Sequence, residues 1–309
     1  MNIVIFGRNG QVGRELEPLL APLGRIVPLD RGQADLERPE SVRDAIRRER
    51  PDIIVNAAAY TAVDRAESEP EKARLVNAES VAAMADEAAR TGAWLVHYST
   101  DYVFDGTQPG SYVETDATCP MSVYGRTKCA GEEAVAASGC RHLVFRTSWV
   151  YAAHGANFPR TILRLAQERP ELSIVDDQIG APTSAARIAT VTAAAVARLG
   201  DGGPPPLPPG IYHLTAAGAT SWHGYAEFVV ELARAAGVPL AVGPGRIRPI
   251  PSREYPQPAR RPANSRLDTT KLRTALGAAL PPWEDDARPV VEALCQAARA
   301  AAGRGAGPA

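Results

Sequence analysis

The chain opens with a short apolar segment that runs directly into three glycines, with two other residues between each glycine and the next. Residues 3–6 have the pattern of a buried strand, and Gly7, Gly10 and Gly13 lead into a helical pattern over residues 11–20. Glycines at this spacing allow a tight turn, a close approach of backbone to a pyrophosphate, and close packing of helix on strand. The free N–H groups at the start of the helix then attract phosphate oxygens. This beginning therefore predicts a nucleotide-binding strand–turn–helix unit.

Strand and helix patterns continue to alternate over the first 150 residues. Such alternation predicts a parallel sheet with helices on both faces, and the nearly continuous apolar character of the strands fits burial on both sides. We therefore expect an α/β fold with a Rossmann-type doubly wound parallel sheet, in which residues 1–150 form an NAD(P)-binding domain. The strands are predicted at residues 3–6, 26–29, 53–56, 94–98 and 142–146, and the helices at 11–20, 41–50, 71–91 and 124–137.

The pattern loosens after residue 150, and residues 151–309 are interpreted mainly as a smaller substrate-binding lobe. Within it, about 172–199 and 211–214 are expected to return to the Rossmann sheet. Proline and glycine dominate residues 200–210, which predicts a surface loop, and the small residues of 302–309 predict a frayed end.

The composition argues against nucleic acids and membranes as binding partners. A net charge of −1 gives no basic field for nucleic acid, and no stretch approaches the ~20 apolar residues of a membrane span. The first residues lack the basic lead and cleavage site of a signal peptide, so a cytoplasmic location is expected. Four cysteines without a C-x-x-C pair and five scattered histidines indicate reduced thiols and no metal site.

Tyr124 and Lys128 stand one helical turn apart in the helix predicted at 124–137. A tyrosine can hand a proton to a carbonyl oxygen, but a free phenol has a pKa near ~10 and is a poor acid at neutral pH. An ammonium one turn away is expected to stabilise the phenolate and lower that pKa. Arginine supplies nearly all of the 34 basic residues, so a lysine kept here favours a functional role over a simple surface charge.

Residues after the second strand indicate the adenosine end of a cofactor. Asp30 ends that strand, where a carboxylate can accept hydrogen bonds from a ribose, and Asp35 and Leu36 are placed to cover the adenine. Arg31 and Arg8 are instead suited to a 2′-phosphate. The two signals conflict, so either NADPH or NADH is expected to serve.

Motifs spread over about residues 1–300 match a single family pattern. They are Phe6-Gly7-x-x-Gly10-Gln11-Val12-Gly13, Asn56-Ala57-Ala58-Ala59-Tyr60-Thr61-Ala62-Val63-Asp64, Ser99-Thr100-Asp101-Tyr102-Val103-Phe104-Asp105-Gly106, Val123-Tyr124-Gly125-x-Thr127-Lys128, Arg146-Thr147-Ser148-Trp149-Val150-Tyr151, Asp177-Gln178-x-Gly180-Ala181-Pro182-Thr183 and Arg261-Pro262-x-Asn264-Ser265. Together they resemble the extended short-chain dehydrogenase/reductase family, and within it the reductases of dTDP-linked 4-keto sugars.

This resemblance implies roles for individual residues. The cofactor phosphates would lie on Gly7, Gly10, Gln11, Val12 and Gly13, its adenosine half near Asp30, Arg31, Asp35 and Leu36, and the rest along Ala59, Tyr60 and Thr61. The substrate carbonyl would be bonded by Thr100 and protonated by Tyr124, while Lys128 would bond the nicotinamide ribose. The deoxysugar would face Asp101, Tyr102 and Trp149, although core packing is the alternative for Trp149.

The implied activity is NAD(P)H-dependent reduction of the C4 ketone of a dTDP-4-keto-6-deoxyhexose, with dTDP-4-dehydro-L-rhamnose as the expected substrate. Alternatives are a reductase for another nucleotide-activated 4-keto sugar, a dehydratase, an epimerase, or a non-catalytic regulatory subunit of the same fold. Dehydratases of this fold follow the active-site threonine with Asp-Glu, whereas here Thr100-Asp101 is followed by Tyr102. The Asp177-Gln178 motif favours reductases over epimerases.

Some members of the family form a dimer bridged by Mg²⁺, with carboxylates from three segments. Glu15 matches the first segment, but Ala186 stands where the second ligand would fall, and Glu292 is one position out of register at the third. Arg187 lies beside the gap and opposes a cation. A monomer or a metal-independent dimer is therefore expected, with no requirement for Mg²⁺.

Overall fold

A computed structural model describes residues 1–200 and 205–305. Its strands, in chain order, are β1 (Asn2–Phe6), β2 (Arg25–Leu29), β3 (Ile53–Asn56), β4 (Trp94–Thr100), β5 (Arg141–Thr147), β6 (Val150–Tyr151), β7 (Leu172–Val175), β8 (Ile179–Gly180), β9 (Thr183–Ser184), β10 (Gly210–His213), β11 (Thr220–Ser221) and β12 (Ile247–Ile250). Its α-helices are α1 (Gln11–Leu20), α2 (Pro39–Glu49), α3 (Val63–Ala66), α4 (Pro70–Arg74), α5 (Ser80–Thr91), α6 (Val123–Ala137), α7 (Phe158–Glu168), α8 (Ala185–Ala197), α9 (Trp222–Ala235), α10 (Thr270–Leu276) and α11 (Trp283–Gly305).

Six parallel strands form the central sheet in the order β10-β5-β4-β3-β1-β2. The chain moves outward from β1 to β2 and then returns to the other side of β1 for β3. The crevice at such a reversal, outside the carboxyl ends of the strands, is where ligands bind in open α/β sheets. The expected doubly wound fold is therefore confirmed.

Apolar layers cover both faces of this sheet. On β1, Ile3 and Ile5 pack into one layer with Leu16 of α1 and Ile188 of α8. The alternate residues of the same strand pack into the opposite layer with α2 and α5. Side chains of successive strand residues point to opposite faces, so burial of every one of them explains the unbroken apolar strands of the sequence.

The second half of the chain builds a separate apolar cluster from α7, α9 and α11, which includes the fully buried Tyr225. Two segments of this half join the sheet domain: α8 packs on α1 and β10 pairs with β5. The strand expected at 172–175 forms, but it pairs with Ile247–Ile250 and not with the central sheet. Its Leu172 is buried in the cluster of α7 and α9. The strand therefore packs in the lobe and not, as expected, in the sheet domain.

Two predictions concern segments that fall partly outside the described residues. The loop was expected at 200–210, and residues 201–204 of it lie outside the described residues. At its other end, β10 already begins at Gly210. The prediction of a frayed end at 302–309 is wrong for residues 302–305, where the backbone is still helical. The rest of that segment, residues 306–309, lies outside the described residues. No helix among the described residues combines the length and the apolar composition that crossing a bilayer requires.

Candidate active site

A cleft of about 1040 Å³ opens at the carboxyl ends of β1, β3 and β4 and extends beneath the second half of the chain. The residues that the sequence assigned to a cofactor or substrate line it, with the exceptions of Gly13 and Arg8. The lining includes Gly7, Gly10, Gln11, Val12, Asp30, Arg31, Asp35, Leu36, Ala59, Tyr60, Thr61, Thr100, Asp101, Tyr102, Tyr124, Lys128 and Trp149.

The glycine turn has no room for side chains. Gly7 has φ +84°, and a Cβ there would lie 2.7 Å from the backbone nitrogen of Ala58. A Cβ on Gly13 would lie 2.1 Å from the Gly7 carbonyl oxygen, so Gly13 serves the packing of α1 on the turn and does not line the cleft. Helix α1 begins at Gln11 with no side-chain cap, which leaves its first N–H groups directed at the cleft. These features fit the pyrophosphate of a dinucleotide.

Charged side chains are concentrated at the adenosine end. The Asp30 carboxylate accepts a hydrogen bond from the Gly32 N–H at 2.9 Å. Arg31 forms ion pairs with Glu37 and Asp35, and Lys72 reaches the same Glu37 with an Nζ–Oε1 distance of 3.0 Å. Two cations, Arg31 and Lys72, are therefore available for a 2′-phosphate, but the Glu37 carboxylate already binds both of them.

Arg8 was expected to compete for a 2′-phosphate, but the structure places it elsewhere. Its guanidinium pairs with Glu17 at 3.5 Å, and it lines a separate surface hollow next to α1. Arg8 turns away because it follows the sharp backbone turn at Gly7.

A turn of π-helix at Leu75–Glu79, between α4 and α5, holds the cofactor-side residue Tyr60. Asn77 in this turn accepts from the Tyr60 N–H at 2.8 Å and donates to the Tyr60 carbonyl at 3.1 Å. Its amide also donates to the Thr127 hydroxyl on α6 at 3.2 Å. One buried side chain thus ties the loop after β3 to α6, the helix that carries Tyr124 and Lys128.

Tyr124 lies in the first turn of α6, where the Ser122 hydroxyl caps the helix by accepting from the Gly125 N–H at 3.1 Å. The Tyr102 ring meets the Tyr124 ring edge to face, with centroids 5.4 Å apart. Burial raises the pKa of Tyr124 to about 12, the neighbouring Thr100 hydroxyl lowers it in part, and the Asp101 charge raises it further. The expected lowering of this pKa by Lys128 is thus not what the structure shows, since burial dominates.

Lys128 is 2% exposed and its hydrogen bonds run toward β4. Its Nζ donates to the Tyr98 carbonyl at 2.6 Å and lies 3.1 Å from Nε2 of His97. Burial lowers the pKa of Lys128 to about 8, against a smaller raising effect of the Glu132 charge. The amine is therefore fixed in position within the cleft wall.

The substrate end of the cleft carries an unsatisfied carboxylate oxygen. Asp101 Oδ1 accepts from the Thr100 hydroxyl at 2.9 Å, but the buried Oδ2 has no hydrogen-bond partner among the described residues. Burial raises the pKa of Asp101 to about 6, against smaller lowering effects of the Ser265 and Thr100 hydroxyls. A buried acceptor without a donor is costly, and a ligand hydroxyl could satisfy it.

Trp149 lines the same cleft in a strained backbone conformation, with φ +49°. Its ring stacks on Trp222 of α9, with centroids 3.5 Å apart and planes at 10°. Gly180 lies under the indole, where a Cβ would come within 2.7 Å of Trp149 Cε2. The aromatic pair therefore forms a rigid wall of the cleft, and Trp149 is not simply a core residue.

Sequence reasoning missed several residues of the cleft. Ser99 and Thr147 lie at or next to the carboxyl ends of β4 and β5, and their hydroxyls have no partner among the described residues. The rule that sites lie at carboxyl ends of strands could have found them. Lys72 and Trp222 gave no local signal because they come from distant helices. In the described chain no group of three or more His, Cys, Asp or Glu side chains is arranged to hold a metal ion.

Comparisons with known proteins agree with this geometry. The family described as "RmlD substrate binding domain" matches residues 1–296. A dTDP-4-dehydrorhamnose reductase of Escherichia coli is 52% identical over 288 residues, which cover 92% of this chain and 95% of that protein. One from Burkholderia thailandensis is 52% identical over 286 residues, with the same coverage of 92% and 95%.

Solved structures with the same description are also similar. The dTDP-4-dehydrorhamnose reductase of Clostridium acetobutylicum superposes with a TM-score of 0.86 at 32% identity, covering 95% of this chain and 99% of that one. The enzyme of Bacillus anthracis, solved in complex with NADP, gives a TM-score of 0.84 at 33% identity, with coverage of 94% and 98%.

Proposed function

This chain belongs to the dTDP-4-dehydrorhamnose reductase family, and on that premise we propose that it reduces the C4 ketone of a dTDP-4-keto-6-deoxyhexose with NAD(P)H. Because its relatives are dTDP-4-dehydrorhamnose reductases, dTDP-4-dehydro-L-rhamnose is the first choice of substrate. Its product would be dTDP-L-rhamnose. The observation that carries the proposal is the convergence of Thr100, Tyr124 and Lys128 in the wall of one cleft that also contains the glycine turn.

The cofactor residues are proposed as a group. The phosphates would be held by the turn at Gly7 and Gly10 and by the N-terminus of α1, and the adenosine by Asp30, Asp35 and Leu36. When bound, the dinucleotide supplies the hydride. Residues 1–150 would then act mainly as the nucleotide domain and 151–309 mainly as the substrate lobe, with α8 and β10 attached to the former.

The chemistry at the ketone is proposed to rest on two hydroxyls. Charge develops on the ketone oxygen during reduction, and preorganised donors aimed at that oxygen stabilise it. A pKa of about 12 keeps Tyr124 protonated at neutral pH, so that it holds the proton the alkoxide needs. The Thr100 hydroxyl lies beside it and would turn from Asp101 to the substrate.

After proton transfer Tyr124 is a buried phenolate, which its apolar surroundings disfavour. The ammonium form of Lys128, in the same wall of the cleft, would stabilise that anion. We assign the sugar hydroxyls to the unpaired Asp101 Oδ2, and the sugar ring to Tyr102 and the Trp149 wall.

Alternatives within the fold are less well supported. A dehydratase needs a second carboxylate after Asp101, and the aromatic Tyr102 fills that position against the Tyr124 ring. A regulatory subunit does not need the three catalytic side chains gathered in one cleft. A reductase for another nucleotide-linked 4-keto sugar shares every feature described and differs only in the sugar it prefers.

The wider context of the proposal is a cytoplasmic enzyme without a nucleic-acid or membrane partner. It acts as a monomer or a metal-independent dimer and does not require Mg²⁺. NAD(P)H and the nucleotide sugar are its small-molecule partners.

The test is a direct assay. Purified protein is mixed with NADPH or NADH and a panel of dTDP-4-keto-6-deoxysugars, and cofactor oxidation is followed by absorbance while the product is identified by NMR. We expect oxidation with a product reduced at C4. Oxidation with a different sugar of the panel would favour the alternative reductase, and no oxidation with any sugar would contradict the proposal.

A further inference from the structure

His97 is fully buried in β4 and is not part of the cleft lining, yet it touches a catalytic side chain. It pairs with Asn56 across the parallel strands β3 and β4, and its ring nitrogen Nδ1 lies 3.1 Å from Asn56 Nδ2. Its other nitrogen, Nε2, lies 3.1 Å from Lys128 Nζ. A buried imidazole thus bridges the end of the cofactor strand to the lysine, and the proposed reaction gives it no role.

The orientation of Asn56 decides which nitrogen of His97 carries the proton. Asn56 Oδ1 accepts from the Ala58 N–H at 3.1 Å, so its Nδ2 must face the ring. An amide nitrogen only donates, and a neutral imidazole has one donor and one acceptor. His97 Nδ1 is therefore the acceptor, and its proton lies on Nε2, directed at Lys128.

An ammonium at Lys128 would then place donor against donor, because an ammonium has no lone pair to accept the Nε2–H. A neutral amine accepts from His97 and still donates to the Tyr98 carbonyl. We infer that Asn56 and His97 are positioning residues that hold Lys128 in the cleft wall and disfavour its protonation, so that they set how readily the catalytic ammonium forms. This inference rests on the proposed function for its consequence, but not for its geometry.

The surroundings support this assignment. Burial, with the nearby Lys128 charge, holds the pKa of His97 well below its usual range, so the ring is neutral. The acid nearest to Lys128 along α6 is Glu132, whose carboxylate is occupied by Arg146 at 2.6 Å. Tyr124 on α6 is protonated, and from β5 the residue paired with His97 is the apolar Val144. The Glu132 charge therefore favours the ammonium form only in part, because the same carboxylate is paired with Arg146.

The consequence is an alkaline limit on turnover. Stabilisation of the Tyr124 phenolate needs the ammonium, whose pKa is about 8. Below that pH the ammonium predominates, and as pH rises through about 8 it is lost. We expect kcat to fall there, while a change that lets His97 accept from Lys128 should move the fall to higher pH.

The primary test reads the tautomer without any assay of activity. The full chain is labelled with ¹⁵N-histidine, and His97→Gln identifies the His97 signals among the five histidines. We expect a neutral ring with its proton on Nε2 above pH 8, where the Lys128 amine is mostly neutral. A proton on Nδ1, or a cationic ring, would overturn the inference whether or not the protein reduces a sugar.

The second test changes the donor at Asn56. Asn56→Asp keeps an acceptor for the Ala58 N–H but presents a carboxylate to Nδ1, which should move the proton there and free Nε2 to accept from Lys128. With ¹³C-lysine labelling there are three signals, and Lys72→Arg and Lys271→Arg assign the third to Lys128. We expect its titration midpoint, and the alkaline fall of kcat, to rise together by at least one pH unit.

The matched control is His142→Leu, which removes a histidine near the start of the neighbouring strand β5. It should leave the Lys128 midpoint and the pH profile unchanged. Because the new carboxylate also attracts a cation, Asn56→Asp is repeated with His97→Leu. The inference predicts that most of the rise disappears in the double variant, and a full rise there would show a charge effect alone and overturn it. If the tautomer and titration results hold but no sugar is reduced, the proposed function fails and the assignment of Lys128 stands.

Discussion

In the proposed mechanism Tyr124 donates a proton from a site that makes its phenol a weaker acid. Sequence spacing suggested that Lys128 acidifies it, whereas burial raises its pKa to about 12 and the lysine nitrogen is bonded to β4. The apparent conflict disappears if the phenol only has to remain protonated until the alkoxide forms. An alkoxide is a strong base and takes the proton from a phenol readily. Lys128 then acts after the transfer, on the phenolate.

We predict that Tyr124→Phe lowers kcat by roughly 10²–10⁴-fold, the usual contribution of a general acid, while the Kd of the cofactor stays within about threefold. The ring remains and only the proton is lost. Steady-state turnover and fluorescence titration with NADPH measure the two quantities. Tyr225→Phe is the control, since it removes a buried hydroxyl without a described partner from the lobe. Turnover close to wild type in Tyr124→Phe would exclude the role.

We predict that cofactor choice depends on Glu37, which the sequence did not single out. Its carboxylate holds both Arg31 and Lys72 at the adenosine end of the cleft. A 2′-phosphate on the cofactor must compete with this carboxylate for the two cations, whereas a free ribose can bond to Asp30. We therefore expect the wild-type protein to use both cofactors, with a preference below about 100-fold, or ~2.7 kcal/mol.

Glu37→Gln should shift the ratio of kcat/KM for NADPH over NADH upward by about tenfold, which corresponds to ~1.4 kcal/mol. The cations stay in place and lose only their competing anion. Glu40→Gln is the matched control, because Glu40 is an exposed carboxylate on α2 whose partner Arg43 faces away from the cleft. An unchanged ratio in Glu37→Gln would mean that neither cation reaches the cofactor.

At the scale of elements, periodicity and glycine spacing predicted the sheet domain closely. Helix α1 and strand β3 have the predicted limits, and the other predicted strands of the first 150 residues lie within two residues of the observed ones. These elements are buried on regular faces, so local pattern carries enough information. The partner of β7 could not be predicted, because four apolar residues fit any free strand edge and only the folded lobe supplies β12.

The same limit applies to the site. The cofactor turn and the catalytic pair are local in sequence and were predicted from spacing. The π-turn at Leu75–Glu79, which ties Asn77 to Tyr60 and Thr127, was read as part of one long helix. A π-turn differs from an α-turn by one hydrogen-bond register, and its reason for existing is the contact with α6. His97 was likewise invisible, since its role depends on two side chains from other elements.

The short strand β8 offers an element-level test of the Trp149 wall. Gly180→Ala would bring a Cβ within 2.7 Å of an indole that Trp222 holds from the other side. The indole must move, so we predict at least a fivefold rise in KM for the nucleotide sugar with little change in cofactor affinity. Gly110→Ala, at a position with no atom within 4 Å of the new Cβ, is the control. A normal KM in Gly180→Ala would show that the sugar does not meet this wall.

At the scale of the whole molecule, polar contacts join the two halves around the cleft. Asp286 of α11 accepts from Tyr151, from Ser184 and from Arg187, which fixes the lobe against β9 and α8. Nearer the glycine turn, Asn157 donates to Gln11 at 3.0 Å and His154 lies 3.1 Å from Glu15. The start of α1 is therefore already engaged by the second half of the same chain.

These contacts bear on assembly. The family resemblance implies that, in a Mg²⁺-bridged dimer, a carboxylate at the position of Glu15 would bind the metal. Here Glu15 is bonded to His154, the second ligand position is the exposed Ala186, and Glu292 is exposed on α11. Mg²⁺ needs oxygen ligands in a nearly octahedral arrangement and is held mainly by their charge. Loss of one carboxylate beside the cation Arg187 removes much of that attraction.

We therefore predict that the protein is a monomer, or a dimer through another surface, and that chelation leaves both its mass and its activity unchanged. Sedimentation velocity and turnover are measured with 5 mM Mg²⁺ and again after EDTA treatment, at a few concentrations of protein, where ~5 mM is a saturating level for ordinary Mg²⁺ sites. Ala186→Glu is the informative variant, because it restores the missing carboxylate at an exposed position. If the ligand set is the only obstacle, this variant should gain a dimer that EDTA dissociates, while wild type does not. A wild-type dimer that dissociates on chelation and loses activity would show that the metal is held by other carboxylates and that the reading of Ala186 is wrong.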